Sequence, residues 1–373
     1  MSDPGGVGVT PFFNQSSVSN LTNSSASTHC DQVDTSANVF FLVICTLVFL
    51  VGLLLNGFTL KVYFCRAQQQ VSSSVTIYLK NLAAADFLIS LCLPLRITNY
   101  TSSSVSIRWI YCTFGASAFY LNMYASILFM GYIAANRYLK IVHPLGNHIL
   151  QTVRAAHIIS TLTWVFLLAT SSAYVIVSLL TKEPLSSVPD MVTCDVLHSE
   201  QLSLCYKIIH TCSAAIFLLV LISLIFFYYG TSRRLSLAQQ RQPASSNSKK
   251  LSKSRRNMLV LVSLFCLCFV PYHLVRLPYA FLRRQCSLSQ VFYYLKELTI
   301  MLSILNVCLD PLIYFIFCKA FRAHLSPRRL FSITQAATQG ANTERRSSNG
   351  RMSTLKINRK TSLTVTTKQP GVL

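Results

Sequence analysis

Phe265–Tyr314 reads FCLCFVPYHLVRLPYAFLRRQCSLSQVFYYLKELTIMLSILNVCLDPLIY. Two apolar runs flank a short polar connection, and both are apolar enough to lie in lipid. A charge inside such a run is expensive, so it faces a cavity or a partner and carries function. The first run holds Arg276 and ends at Arg283; the second holds Lys296 near the matching end and Asp310 deep inside. Cations near the same ends of two adjacent spans point to a pocket for an anion. Pro271 and Pro311 each remove a helical N–H. Proline breaks near a buried carboxylate mark helices that are able to shift.

Composition extends this reading to the whole chain. Of 373 residues, 52% are hydrophobic and 12% charged, against about 25% charged in an average soluble protein. With a mean hydropathy of +0.47, the chain falls among polytopic membrane proteins. A net charge of +22 in a soluble chain would point to nucleic acid. Here the basic residues gather in loops and a tail on one side, which is a topology signal, and no nucleic-acid partner is expected. Most of the 13 cysteines sit inside apolar runs, without metal-ligand spacing, as small apolar fillers. Cys30, Cys112, Cys194 and Cys286 instead fall at polar edges on one side. An oxidising compartment permits disulfides there, and four cysteines allow three pairings.

Working along the chain, residues 1–37 form a polar tail without Lys or Arg, read as extracellular and disordered. Asn14, Asn20 and Asn23 each begin an Asn-x-Ser/Thr glycosylation triplet. Residues 38–325 form the membrane domain. Its spans run at about 39–64, 75–97, 111–142, 157–180, 202–230, 257–282 and 290–318, each long enough for a bilayer core that needs about 20 residues. The basic loop from Arg233 to Arg256 fixes its side as cytoplasmic. Lys319–Leu325 has the amphipathic pattern of a short helix on the membrane surface. Residues 326–373 are basic, Ser/Thr-rich and read as a disordered cytoplasmic tail. The fold class is therefore an all-α, seven-helix transmembrane bundle on the plasma membrane, with its N-terminus outside. That architecture admits a receptor, a photoreceptor, a transporter or a channel. A transporter built from repeats would show related halves, and a channel would carry intramembrane charges in series; neither pattern is present.

Tyr272, Arg276, Tyr279 and Arg283 are spaced four, three and four residues apart. This places them on one helical face running from mid-membrane to the outer mouth. Arg96 and Lys296 lie at the outer ends of the second and seventh spans, and Tyr120 lies two turns into the third. Arginine's planar fork gives paired, charge-assisted bonds to phosphate, and lysine adds a point charge. The bland alternative is that Arg96, Arg283 and Lys296 snorkel to the surface; the deeper Arg276 argues against it. Glu297, beside Lys296, is a local ion-pair partner or a ligand contact. Asp86 sits mid-span, at a depth that marks an ion or hydrogen-bond site.

Asn56, Asp86, Asn136-Arg137-Tyr138, Trp164, Phe269-Val270-Pro271 and Asp310-Pro311-x-x-Tyr314 occur in an order and spacing that resemble rhodopsin-like (class A) G-protein-coupled receptors over about 39–322. Phe119-Tyr120, Asn122-Met123-Tyr124, Tyr272-His273, Arg276, Pro278-Tyr279 and Lys296-Glu297 are similar to purinergic nucleotide receptors, in the subgroup of the platelet ADP and UDP-glucose receptors. The resemblance implies a receptor, not an enzyme, for an extracellular nucleotide or nucleotide sugar. It implies an inhibitory G protein that lowers cyclic AMP, with arrestin and receptor kinases as further partners. The implied ligand set is Arg96, Tyr120, Tyr206, His210, His273, Arg276, Tyr279, Arg283 and Lys296. It pairs Cys112 with Cys194 and Cys30 with Cys286. It makes Asn136, Arg137, Tyr138 and Tyr314 the G-protein switch. No cofactor is required; Asp86, Ser126, Asn306 and Asp310 resemble a modulatory sodium site, the alternative being a protonated Asp310 bonded to Asp86. The departures are Asn136 where the family has Asp, Ala173-Tyr174 for Pro-Asn, and Tyr206 and His210 for the subgroup's His and Asn. The competing readings are a lysophospholipid receptor, a constitutively active receptor answering no nucleotide, and a transporter or channel.

Overall fold

The computed structural model describes residues 38–65, 73–102, 104–143, 148–182, 194, 197–241, 246–282 and 289–317. The two tails, the expected surface helix at 319–325, the Cys30–Cys286 pair, Arg283 and the glycosylation sites Asn14, Asn20 and Asn23 lie outside them. Among the described residues, seven helices are long and apolar enough to cross a membrane. These are α1 (Asn38–Cys65), α2 (Ser74–Thr101), α3 (Val105–Val142), α4 (Val153–Leu180), α5 (Glu200–Arg241), α6 (Ser246–Leu282) and α7, built from Ser289–Ile304 and Asn306–Phe317. Three run well past the expected limits: α3 begins at Val105, α5 continues to Arg241, and α6 starts at Ser246. Hydropathy marks where a helix is in lipid, whereas hydrogen bonding continues it into water. Capping is local: Ser73 and Thr152 accept from the backbone N–H groups of Thr76 and Ala155 at the starts of α2 and α4.

Polar side chains from neighbouring helices meet the backbone close to two of the helix prolines, Pro271 and Pro311. Pro311 has no N–H, so the carbonyl four residues back, Val307, loses its helical donor. Asn56 on α1 supplies one, with Nδ2 2.9 Å from that oxygen. In α6, Pro271 frees the Leu267 carbonyl, and the carbonyl of the next residue, Cys268, accepts from Ser303 Oγ on α7 at 3.0 Å. Trp164 Nε1 donates to Asn81 Oδ1, tying α4 to α2 at 2.9 Å. Hydroxyl pairs Thr113–Ser178 and Ser117–Ser171, at 3.0 and 2.9 Å, tie α4 to α3. Lipid offers no water to a stranded backbone group, so these few bonds fix how the helices are rotated.

Gly52, one turn before Asn56, lets α1 approach this junction. A Cβ there would stand 2.6 Å from Val307 Cγ1 and 2.8 Å from Ser90 Oγ. Val307 is fully buried and β-branched, so it has no room to yield. Gly57 faces more open space, its nearest contact being Phe87 at 3.5 Å. Gly52→Ala should therefore cost about 1–3 kcal/mol, the usual range for overpacking. Gly57→Ala should be tolerated, with thermal melting of the purified protein as the readout; equal melting temperatures would refute the junction.

Candidate functional site

Residues from all seven helices, with Cys194 and His198 between α4 and α5, converge at the end of the bundle that carries the Cys112–Cys194 disulfide, whose Cα atoms are 5.5 Å apart. The expected pairing of these two cysteines is thus present. Cys112 lies in a π-turn, Tyr111–Gly115, that interrupts α3. Such a turn carries an extra residue, and here both Tyr111 and Cys112 line the cavity beneath. That cavity measures about 390 Å³.

At its centre is Arg276 on α6, 8% exposed. Its guanidinium lies 5.2, 5.1 and 5.5 Å from the ring centres of Tyr120, Tyr206 and Tyr279. Nη2 is 3.5 Å from His210 Nε2. Tyr206 and His210 rings meet at 4.3 Å, and Tyr120 meets His210 at 5.5 Å. Rings at this range attract a cation through their quadrupoles while carrying no net charge themselves. Lys296 extends the cage: its Nζ is 5.1 Å from the Tyr279 ring and 5.2 Å from that of Tyr293. An anion entering here would meet two cations held by aromatic faces, with tyrosines available to stack.

Arg96 has a different role. Its Nε donates to Tyr100 Oη at 3.1 Å and its Nη1 to Tyr111 Oη at 2.7 Å, while Nη2 forms an ion pair with Glu297 at 2.5 Å. All three nitrogens are engaged by the protein, so Arg96 braces α2 against α3 and α7 and is not a free grip for a ligand. Glu297 also approaches Lys296 at 3.4 Å. The i, i+4 spacing of Arg96 and Tyr100 on α2 signals a shared face; the link to Glu297 depends on helix rotation. His273 likewise departs from the expected ligand set and does not line the cavity. It is one residue on from Tyr272, hence turned about 100° round the helix. There it stacks on Phe217 at 3.7 Å, donates from Nδ1 to the Phe269 carbonyl and meets Tyr124 Oη at 3.1 Å. Tyr272 packs 6.2 Å from the ring of Tyr120, and it and the expected ligand residue Tyr279 both stand behind the cavity lining. Sequence reasoning missed Tyr100, Tyr111, Tyr174 and His198, all of which line the cavity.

Deeper in, Asp86 is fully buried. Its Oδ1 accepts from Ser126 Oγ at 3.1 Å, and its Oδ2 accepts from Tyr314 Oη. Asp310 is buried with its carboxyl against that of Asp86, and both amide atoms of Asn306 are buried without a hydrogen-bond partner. Two neighbouring carboxylates do not both ionise without a compensating cation, and orphaned oxygens suit a hard one. A sodium ion between the carboxylates and a protonated Asp310 bonded to Asp86 both meet that requirement. Among the described residues, no three His, Cys, Asp or Glu side chains gather to hold a metal ion.

The expected switch is arranged differently from its sequence grouping. Tyr314 belongs to the Asp86 cluster. Arg137 Nη2 donates to the Phe317 carbonyl at 3.1 Å, and its guanidinium lies 4.9 Å from the Phe317 ring. Tyr138 stacks on Phe227 of α5 at 5.0 Å. Asn136 points to α2 and the loop, donating to Ser74 Oγ at 2.9 Å and the Leu150 carbonyl at 2.7 Å.

The chain matches the family model of the 7 transmembrane receptor (rhodopsin family) over residues 55–314. It is 35% identical over 280 residues to purinoceptor 14 of Bos taurus, an alignment covering 74% of this chain and 81% of that one. It is 31% identical over 304 residues to purinoceptor 13 of Homo sapiens, covering 80% and 84%. It is 31% identical over 302 residues to G-protein coupled receptor 87 of Mus musculus, covering 80% of each.

Truncating Glu297 would leave the Arg96 guanidinium buried without its counter-charge. Glu297→Ala should destabilise the protein by about 3–5 kcal/mol, whereas the paired change Arg96→Met with Glu297→Leu should cost far less. Melting temperatures of the wild type and the two variants check this; a double variant as unstable as the single one would refute the pairing.

Proposed function

Since the chain belongs to the rhodopsin family of seven-transmembrane receptors, we propose that it is a G-protein-coupled receptor for an extracellular anion, a nucleotide or nucleotide sugar. The observation that carries this reading is the buried Arg276 ringed by Tyr120, Tyr206 and Tyr279. Phosphate oxygens take the forked bonds of Arg276 and the point charge of Lys296, while a tyrosine face stacks the base. The likeness to two purinoceptors supports the same class of ligand. In this reading the disulfide end faces outward and the basic ends of α5 and α6 face the cytoplasm. There they engage an inhibitory G protein, and later receptor kinases and arrestin.

Agonist favours a second arrangement of the bundle only in proportion to its higher affinity for that arrangement. Tyr272 and Arg276 lie within the Pro271–Pro278 stretch of α6, so a ligand pulling on Arg276 acts where the helix is already weakened. Asp86 and Asp310 would hold a sodium ion, with Ser126 and Asn306 completing the oxygen set. It would supply positive charge to the two carboxylates and bias the same equilibrium. Asn136 gives Arg137 an amide neighbour in place of a carboxylate, and Arg137 binds the end of α7. A resting state lacking the carboxylate's restraint signals without ligand.

Two experiments test these points in cells with matched surface expression, reading suppression of cyclic AMP. Arg276→Ala should weaken the response to ADP, UDP or UDP-glucose by about 30–1,000-fold, the equivalent of losing a buried charge contact. An undiminished response to the active nucleotide would overturn the anion site. Asn136→Asp should lower ligand-free signalling several-fold; an unchanged basal level would refute the missing restraint.

A further inference from the structure

The end of the bundle opposite the Cys112–Cys194 disulfide brings two imidazoles together. His143 caps the C-terminus of α3, its backbone N–H donating to the Leu139 carbonyl at 2.9 Å. His148 precedes a single 3-10 turn, Ile149–Gln151, and its own carbonyl accepts from the Gln151 N–H at 2.9 Å. That turn is held on both sides. Its Leu150 carbonyl accepts from Asn136 Nδ2 on α3 at 2.7 Å, and Thr152 caps the start of α4. Both histidines thus stand on backbone fixed by bonds of its own. Their ring centres are 4.8 Å apart, with the planes at 62°.

The other histidine ring contacts among the described residues have a phenyl or a phenol as partner. His198 meets Tyr174 and Tyr206, His210 meets Tyr120 and Tyr206, and His273 meets Phe217 and Tyr124. An aromatic contact needs only a face and an edge, which those rings supply. The pair at 143 and 148 differs in bringing two nitrogen donors to one place. Imidazole nitrogens bind zinc at about 2.0–2.1 Å in a tetrahedral shell, which sets the centres of two such rings about 5 Å apart. The observed spacing is close to that without rearrangement of the backbone. No described carboxylate or thiol joins the pair to make a third protein ligand. An ion held by imidazole and water alone is not magnesium or calcium, which require several oxygen ligands. Imidazole suits the borderline ions, zinc among them.

We propose that His143 and His148 form a two-imidazole site for zinc or a divalent ion of the same class, with water completing its shell. Two protein ligands, one of them the exposed His143, make the ion exchangeable. When bound, it clips the end of α3 to the turn that Asn136 already holds, beside Arg137. The site is independent of the anion reading above, since it lies at the other end of the bundle.

The test uses purified full-length receptor in detergent, carrying an affinity tag free of histidine. The protein is treated with diethyl pyrocarbonate while zinc chloride is titrated, and mass spectrometry of its peptides reads the acylation rate at each histidine. Zinc should slow His143 and His148 together, several-fold and with one half-maximal concentration. His157, exposed on α4, should keep its rate, and magnesium chloride should slow none of the three. His143→Gln should raise the zinc needed to protect His148 by at least ~10-fold, and His148→Gln should do the same for His143, because a single imidazole loses the gain from the second, tethered ligand. Protection of one member of the pair without the other overturns the site. So does a zinc dependence that either variant leaves unchanged. Equal slowing at His143, His148 and His157 identifies adventitious surface binding and overturns it as well. The wild-type comparison needs no substitution, so misfolding of a variant does not decide the outcome.

Discussion

Inside a bilayer a polar group has no solvent to fall back on, and the bond from Asn56 to the Val307 carbonyl is where this constraint binds hardest. Pro311 takes away the carbonyl's helical donor, and an amide 251 residues earlier in the chain restores one. The bond requires α1 to pass close to α7, which in turn requires a residue without a side chain at 52. Ser303 ties α7 to α6 at the Cys268 carbonyl, beside the one that Pro271 frees. Through these two bonds α6 and α7 are docked to their neighbours close to Pro271 and Pro311. Everything that lines the cavity hangs from helices held in the rotations so fixed.

The two arginines of the cavity show how environment assigns roles to one residue type. Arg96 meets two phenols and a carboxylate and becomes a brace across three helices. Arg276 meets three aromatic faces, which hold it by their quadrupoles and carry no net charge of their own. Lys296 stands between these extremes, sharing Glu297 with the brace and Tyr279 with the cage. A ligand drawn to Arg276 and Lys296 therefore couples α6 to the rigid α2–α3–α7 corner.

The sequence makes legible what depends on one helix at a time. Apolar length and charge bias reveal seven spans, and period 3.6 places Tyr272, Arg276 and Tyr279 along one face. Mid-span Asp86 and Asp310 announce a buried polar cluster. What stays hidden depends on how helices are turned against each other. Glu297 is 201 residues from Arg96 in the chain, and no local pattern pairs them. The π-turn that brings Tyr111 inward has no residue code of its own. His273, grouped with the ligand residues by its motif, is turned out of the cavity by its position on α6. Tyr314 and Arg137, joined by motif, belong to separate clusters because the inner end of α7 presents its backbone to Arg137 and its phenol to Asp86.

The outward surface has the opposite character. Leu54, Leu162, Leu219 and Leu274 are 72%, 62%, 68% and 70% exposed, and the bonds that orient the helices run through other residues. Lipid is their solvent and nothing more. Glutamate, lysine and glutamine sustain a helix about as well as leucine does. If such positions were rewritten with those residues, the polar stitching of the interior would remain whole. The bundle would exchange its medium, and the binding chamber could be carried into plain water on a soluble analogue of the same fold.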